Sequence, residues 1–146
     1  MSAASHLPGT SIQLEETSDL ENLLQLWVPQ PADWINSNQR IHRMVKANRV
    51  KAWRQAALEA VPPGWPMFDQ PVRIVAKVWK ARAGRYDPNN LATTTKACVD
   101  GFVSAGLLKD DDWNHVEGPD HRHGGKGAPG LLFLFTQLPQ MTVSPR

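Results

Sequence analysis

The sequence predicts an α+β fold, a single domain in which two helices pack on a mixed, mostly antiparallel four-stranded sheet. Three observations lead there. Residues 71–81 alternate, with Val72, Ile74, Ala76 and Val78 on one side and Arg73, Val75, Lys77 and Trp79 on the other, the period of a half-buried strand. Residues 38–61 and 91–103 instead repeat apolar side chains at roughly helical spacing. Proline and glycine divide the chain into the order strand, helix, strand, helix, strand, strand, without an internal repeat.

A length of 146 residues suits one such domain, expected over 23–138 between an arm, 1–22, and a tail, 139–146. The arm is small, polar and acidic, too poor in apolar side chains to offset the entropy of ordering, and is expected to be flexible. Residues 23–28 are apolar and stop at Pro29, which suits a short first strand, and a proline-rich loop follows. The first helix carries Ile41, Met44, Val45, Ala52, Ala56 and Ala57 and stops at Pro62-Pro63-Gly64. After the alternating strand, Tyr86-Asp87-Pro88-Asn89-Asn90 introduces a second helix with Leu91, Thr95, Val99, Phe102 and Val103 on its apolar side. Gly106 sits where a C-terminal capping glycine belongs. Three adjacent threonines start a helix poorly, so its first turn is expected to be irregular. Residues 113–117 read as a third short strand and 131–137 as a strongly apolar last one. The Gly-, Pro- and His-rich stretch 118–129 reads as a long loop joining the two as a hairpin.

Composition bears on partners. The single cysteine, Cys98, makes no internal disulfide and no zinc-binding pair. No apolar run approaches the roughly 18 residues that span a bilayer, and no basic-then-apolar pattern opens the chain, so a cytoplasmic protein without a membrane partner is expected. The net charge of +2 conceals an asymmetry: Glu15, Glu16, Asp19 and Glu21 stand in an arm without bases, leaving 16 basic and 10 acidic side chains, or +6, in the remainder. From Trp34 to Leu58 there are six basic side chains and no acidic one. Such clustering is the footprint of a polyanion partner, although a solvated helix face carries the same charge.

Acidic side chains concentrate at two places, Asp87 at the exit of the second strand and Asp110-Asp111-Asp112 at the start of the third. If those strands are neighbours with the second helix crossing over between them, both sets of carboxylates are expected at one end of the sheet. Hard oxygen ligands amid negative charge are what Mg²⁺ or Mn²⁺ needs, and in phosphodiester hydrolysis such ions stabilise the attacking and leaving oxygens. Each fragment also has a plainer reading. Asp87 before Pro88 is a helix N-cap with proline at the first helical position, the Asp run is a turn, and Lys96 with Asp100 is a surface helix pair worth about 0.3–0.5 kcal/mol.

Jointly, Asp87-Pro88-Asn89-Asn90, Lys96-Ala97-Cys98-Val99-Asp100-Gly101, Ala105-Gly106-Leu107-Leu108 and Asp110-Asp111 resemble the core motif of the RusA family of Holliday junction resolvases. That motif is Asp-x-Asp-Asn at a strand exit, a helix with Lys and Asp four apart, Ala-Gly, then Asp-Asp. The likeness covers roughly residues 85–116 and keeps the Lys-to-Asp-Asp spacing; residues 23–40 are similar to the family's N-terminal part. The resemblance implies an Mg²⁺- or Mn²⁺-dependent endodeoxyribonuclease, of the phage RusA-like type, that cuts four-way branched DNA in recombination and repair. It implies a homodimer as well, since a junction needs two cuts on opposing strands. It puts the metal-binding groups on Asp87, Asn89 and Asp111 and the catalytic lysine on Lys96, with Asn90, Asp100 and Asp110 as orienting groups. Candidates for phosphate contacts are Arg40, Arg43, Lys46, Arg73, Lys77, Arg82 and Arg85.

Two departures matter. Asn89 stands where the family has an acid, and its amide oxygen brings no charge, so weaker metal affinity is expected. Three extra residues also separate Asn90 from Lys96. The alternatives are a RusA-like fold that binds branched DNA without cutting it, and an enzyme acting on flap or linear DNA or another polyanion. His115, Asp120, His121 and His123 suggest a transition-metal site less than they suggest a solvated loop. Trp27, Trp53 and Trp79 lie in periodic elements and are expected in the core or a subunit interface. Trp34, Trp65 and Trp113 lie near turns, where packing is the commoner role and base stacking the rarer one.

Overall fold

The alternating segment is strand β3 (Val72–Lys80) of the computed structural model, which describes residues 11–13, 23–82 and 84–139. Val72, Ile74, Ala76 and Val78 are fully buried, whereas Arg73 is exposed and Val75, Lys77 and Trp79 are half-buried. The other elements are β1 (Ser11–Gln13), β2 (Leu23–Pro29), α1 (Arg43–Ala60), α2 (Ala92–Ser104), β4 (Val116–Lys126) and β5 (Gly130–Gln137). The sheet order is β1-β2-β5-β3-β4, antiparallel throughout except for the β3–β4 pair. This is an α+β domain with four principal strands and two helices. The short β1 pairs with β2 and gives the expected arm an ordered stretch; the rest of the arm and residues 140–146 lie outside the described residues.

One face of the sheet makes the core. Leu24, Leu26 and Val28 of β2, the buried set of β3, and Leu131, Phe133 and Phe135 of β5 pack with Trp53 and Ala57 of α1 and Ala97, Cys98 and Phe102 of α2. Phe102 stands edge-on to both Phe133 and Phe135, with ring centroids 5.0 and 5.3 Å apart. The helices touch where Gly101 meets α1: a Cβ there would fall 2.3 Å from the Arg54 carbonyl oxygen, so only glycine allows the approach. The first helix begins at Arg43, later than the expected Asn38, because His42 caps it by accepting from the Met44 amide at 3.1 Å. The second is entered through a 3-10 turn, Pro88–Leu91, whereas the threonine run, expected to make the first turn irregular, lies in regular helix from Ala92. No helix among the described residues is long and apolar enough to cross a membrane.

The expected hairpin between the last two strands does not form. Parallel strands need a crossover, which α2 supplies between β3 and β4, and this leaves β4 at the outer edge of β3. Apolar β5 then returns antiparallel into the gap between β3 and β2, so β3 separates it from β4. The stretch read as a loop is strand as far as Lys126, while residues 113–115 are a turn. Its glycines mark close approach. A Cβ on Gly118 would lie 2.6 Å from the Ile74 carbonyl oxygen, and one on Gly124 would lie 2.6 Å from Trp79 Nε1.

Candidate functional site

An open groove of about 350 Å³ runs between α2 and β4, lined among others by Thr95, Lys96, Asp111, Val116, Gly118 and His121. Lys96 lies in the second turn of α2, and its Nζ donates to Asp111 Oδ2 at 2.8 Å and to Asp100 Oδ1 at 3.3 Å. The first contact joins residues 15 apart. Asp111 is oriented by its own neighbour, since its amide donates to Asp110 Oδ1 at 2.7 Å. The Asp111 carboxylate holds the Lys96 ammonium above its usual pKa, and Lys96 in turn holds the Asp111 carboxyl below the usual carboxylate range. Both therefore stay charged around neutral pH.

Asp87 caps the 3-10 turn. Its Oδ1 accepts from the Asn89 amide at 3.0 Å, with Pro88 at the first position, as the plainer reading of that sequence held. The turn is tied down on both sides: the Asn90 carbonyl accepts from the Ser37 amide at 2.8 Å and from Ser37 Oγ at 3.0 Å. Upstream, Tyr86 Oη bonds His123 Nδ1 at 2.7 Å beneath the Lys80 ammonium, 4.2 Å above the Tyr86 ring.

The two acidic places do not meet at one end of the sheet. Because β3 and β4 are parallel, with Val72 beside Val116 and Lys80 beside Lys126, the exit of β3 and the start of β4 lie at opposite ends. A crossover helix separates such points by its own length, which the expectation overlooked. The segment after α2 folds back beside the helix and carries Asp111 to Lys96, so Asp87 and Asp111 approach the groove from different ends.

His121, expected in a solvated loop, faces the groove instead. It lines the groove with Asp111, its Nε2 is 2.8 Å from Thr95 Oγ1, and the Asp87 charge acts on it. The detectable signal was alternation: His121 pairs with core-facing Ala76, whereas Asp120 and Arg122 fall on the opposite face. Arg54 was also missed. It borders an adjoining hollow with Asp100, Asp110 and Asp111, and donates to Ser104 Oγ at 3.0 Å.

Among the phosphate-contact candidates, Arg40, Arg43 and Lys46 are exposed on and just before α1, and Arg82 and Arg85 are exposed in the segment leading to Asp87. Arg73 and Lys77 belong to the sheet face turned away from the helices, and Arg73 is held by Asp120 at 2.8 Å and Glu117 at 3.5 Å. They stand apart from the groove. The four residues weighed as a transition-metal site also disperse, with His115 on Asp112, Asp120 on Arg73, His121 on Thr95 and His123 on Tyr86.

The chain matches no protein-family model and no curated protein.

Among the described residues, no three His, Cys, Asp or Glu side chains converge as metal ligands. The donors at hand are nevertheless hard oxygens. Asp111 and Asp87 each engage one carboxylate oxygen in a protein hydrogen bond, leaving the other oxygen of each for a ligand, and Asn89 adds an amide oxygen. Oxygen donors of this kind suit the chemistry of an Mg²⁺ or Mn²⁺ that keeps much of its hydration; they do not make a closed protein cage.

Burial lowers the His121 pKa, against the raising effect of Asp120 and Asp87 and with a smaller lowering from Arg122. The unfolded chain takes up a proton near the ordinary imidazole value of about 6.5 while folded His121 resists it. Its contribution to stability is therefore complete above that pH and declines as pH falls below it. His121→Gln keeps a hydrogen-bonding group for Thr95 without titrating. It is expected to reduce the fall in urea midpoint between about pH 7.5 and 5.5, and equal falls in both proteins would contradict the assignment.

Proposed function

We propose that this protein is a RusA-type, Mg²⁺- or Mn²⁺-dependent endonuclease that resolves four-way DNA junctions in recombination and repair, acting as a homodimer. The observation that carries the reading is the Lys96–Asp111 contact, which unites the helix lysine and the second acid of the Asp-Asp pair in the groove between α2 and β4. These are the positions that the resemblance singles out.

Lys96 offers a fixed positive charge to phosphate oxygens as negative charge builds on them, and Asp111 keeps that charge in place. Basic side chains supply the hold on the duplex arms. At 100° per residue, Arg43, Lys46 and Arg54 fall within roughly 80° of one another around α1, a stripe about 16 Å long that ends beside Asp111. Arg82 and Arg85 extend positive charge to the Asp87 side. Contacts of this kind position DNA without reading its sequence, so binding follows branch shape and falls steeply with salt. When bound through Asp87, Asn89 and Asp111, the divalent ion would polarise the scissile phosphate and acidify a water.

The test is a labelled four-way junction incubated with Mg²⁺ or Mn²⁺ and either the wild type or Asp111→Asn. Paired nicks on opposing strands are expected from the wild type, and loss of several kcal/mol of charge stabilisation should slow the variant roughly a hundredfold or more. A wild type that binds junctions but shows no metal-stimulated nicking supports a second reading, a branched-DNA-binding protein that does not cut. Asn89 in place of an acid and the separate approaches of Asp87 and Asp111 favour that alternative. Linear and flap substrates in the same panel expose an enzyme of different preference.

A further inference from the structure

Trp34, Trp65 and Trp113 all lie near turns, yet the fold treats them differently. Trp34 packs on Trp53 with ring centroids 5.0 Å apart, and Trp65 packs against the core. Trp113 remains 85% exposed, the most exposed large apolar side chain among the described residues. Its turn is well held: the His115 and Val116 amides donate to the Asp112 carbonyl at 3.0 and 2.9 Å, and the Asp112 carboxylate bonds the His115 ring. An indole presented on a bonded turn costs little further ordering when it meets a ligand.

Position identifies the ligand. Trp113 is two residues from Asp111, so their Cα atoms lie within about 7 Å. The next two residues of the turn, Asn114 and His115, line a hollow of about 590 Å³ with Met67, Phe68 and Lys109 among others. The nearby Asp110, Asp111 and Asp112 disfavour a bare phosphate and tolerate an uncharged base. A protein-docking face needs a contiguous apolar patch. Of the other exposed large apolar residues, only Met67 borders this hollow, while Met44 and Val45 lie on α1.

We propose that Trp113 is a stacking platform for a nucleobase whose face is uncovered at a branch point, through which the protein distinguishes branch points from continuous duplex. The proposal rests on the branched-DNA reading above. Inside a duplex each base face is covered by its neighbours, whereas a junction exposes faces on which an aromatic ring stacks without regard to sequence.

The test compares wild type, Trp113→Phe and Trp113→Ala for binding to a four-way junction and a linear duplex in EDTA, with tryptophan fluorescence as a second readout. The Ala variant should lose about 10- to 100-fold in junction affinity and less than about threefold on duplex, while Phe keeps most of the affinity. Junction-induced quenching should be present in the wild type and absent from the Ala variant. If the wild type shows no preference for branched DNA, the function proposed above falls and this inference falls with it. If that preference survives in Trp113→Ala, this inference alone is overturned. A changed sedimentation mass for the Ala variant, with quenching unaltered, would also overturn it by making the indole a subunit contact.

Discussion

Lys96→Ala is expected to lower metal-dependent junction cleavage by about 10²–10³-fold while leaving junction affinity within about threefold of wild type. The Lys96 side chain is 65% exposed, so its pairs with Asp111 and Asp100 are screened and contribute little to folding. Loss of cutting would therefore not reflect unfolding, which a melt of the variant checks directly. Binding should survive because Arg43, Lys46, Arg54, Arg82 and Arg85 remain, each neutralising phosphate independently. The pH range of the pair follows from its two shifts. Lys96 has a raised folded pKa, so the pair's contribution is present below about pH 10.4 and lost as pH rises through that raised value. Asp111 has a lowered one, so the contribution is present above about pH 3.9 and lost as pH falls through that lowered value. No loss of cleavage from Lys96 deprotonation is expected between about pH 6 and 9. Combining Lys96→Ala with Asp111→Asn should cost little more than either alone if the two act as a unit. Parallel loss of binding and cutting would instead mark Lys96 as structural, and undiminished cutting would remove it from the chemistry.

Phe102→Ala should destabilise the protein by about 3–5 kcal/mol, measured as the shift in guanidinium unfolding at constant slope. Phe102 is fully buried where α2 sits on the sheet, edge-on to Phe133 and Phe135 of central strand β5. Truncation loses the transfer energy of the ring and both aromatic contacts, and leaves a cavity that two helices and a sheet cannot readily collapse. That cost is a large fraction of the roughly 5–15 kcal/mol that holds an ordinary domain folded. Phe102→Leu, closer in volume, should lose much less. A cost for the Ala variant below about 1 kcal/mol would mean that the aromatic cluster does not anchor α2, and with it the placement of Lys96.

Local features of this protein were legible in its residues. The alternation of Val72, Ile74, Ala76 and Val78, the Asp87-Pro88 cap and the Lys96–Asp100 pair all involve neighbours within about four positions. There, backbone period and capping chemistry act without help from distant parts of the chain. The glycine-rich stretch from Gly118 was misread for the complementary reason. An absent Cβ serves an open loop or a close approach equally well, and the choice depended on Ile74 and Trp79 lying against it.

The α+β class, both helices, the core-facing set of β3 and a polar motif worth testing were all readable from residue order. Packing between distant segments settled that β5 enters between β2 and β3, that β4 runs parallel at the edge, and that His121 comes to the groove and Arg54 to the hollow beside it while Arg73 comes to neither. It also brings Asp111 to Lys96, 15 residues away. The physical reason is range: hydrogen-bonding period and caps act between adjacent residues, whereas strand order and the path of the segment after α2 depend on which apolar faces, far apart in the chain, bury one another.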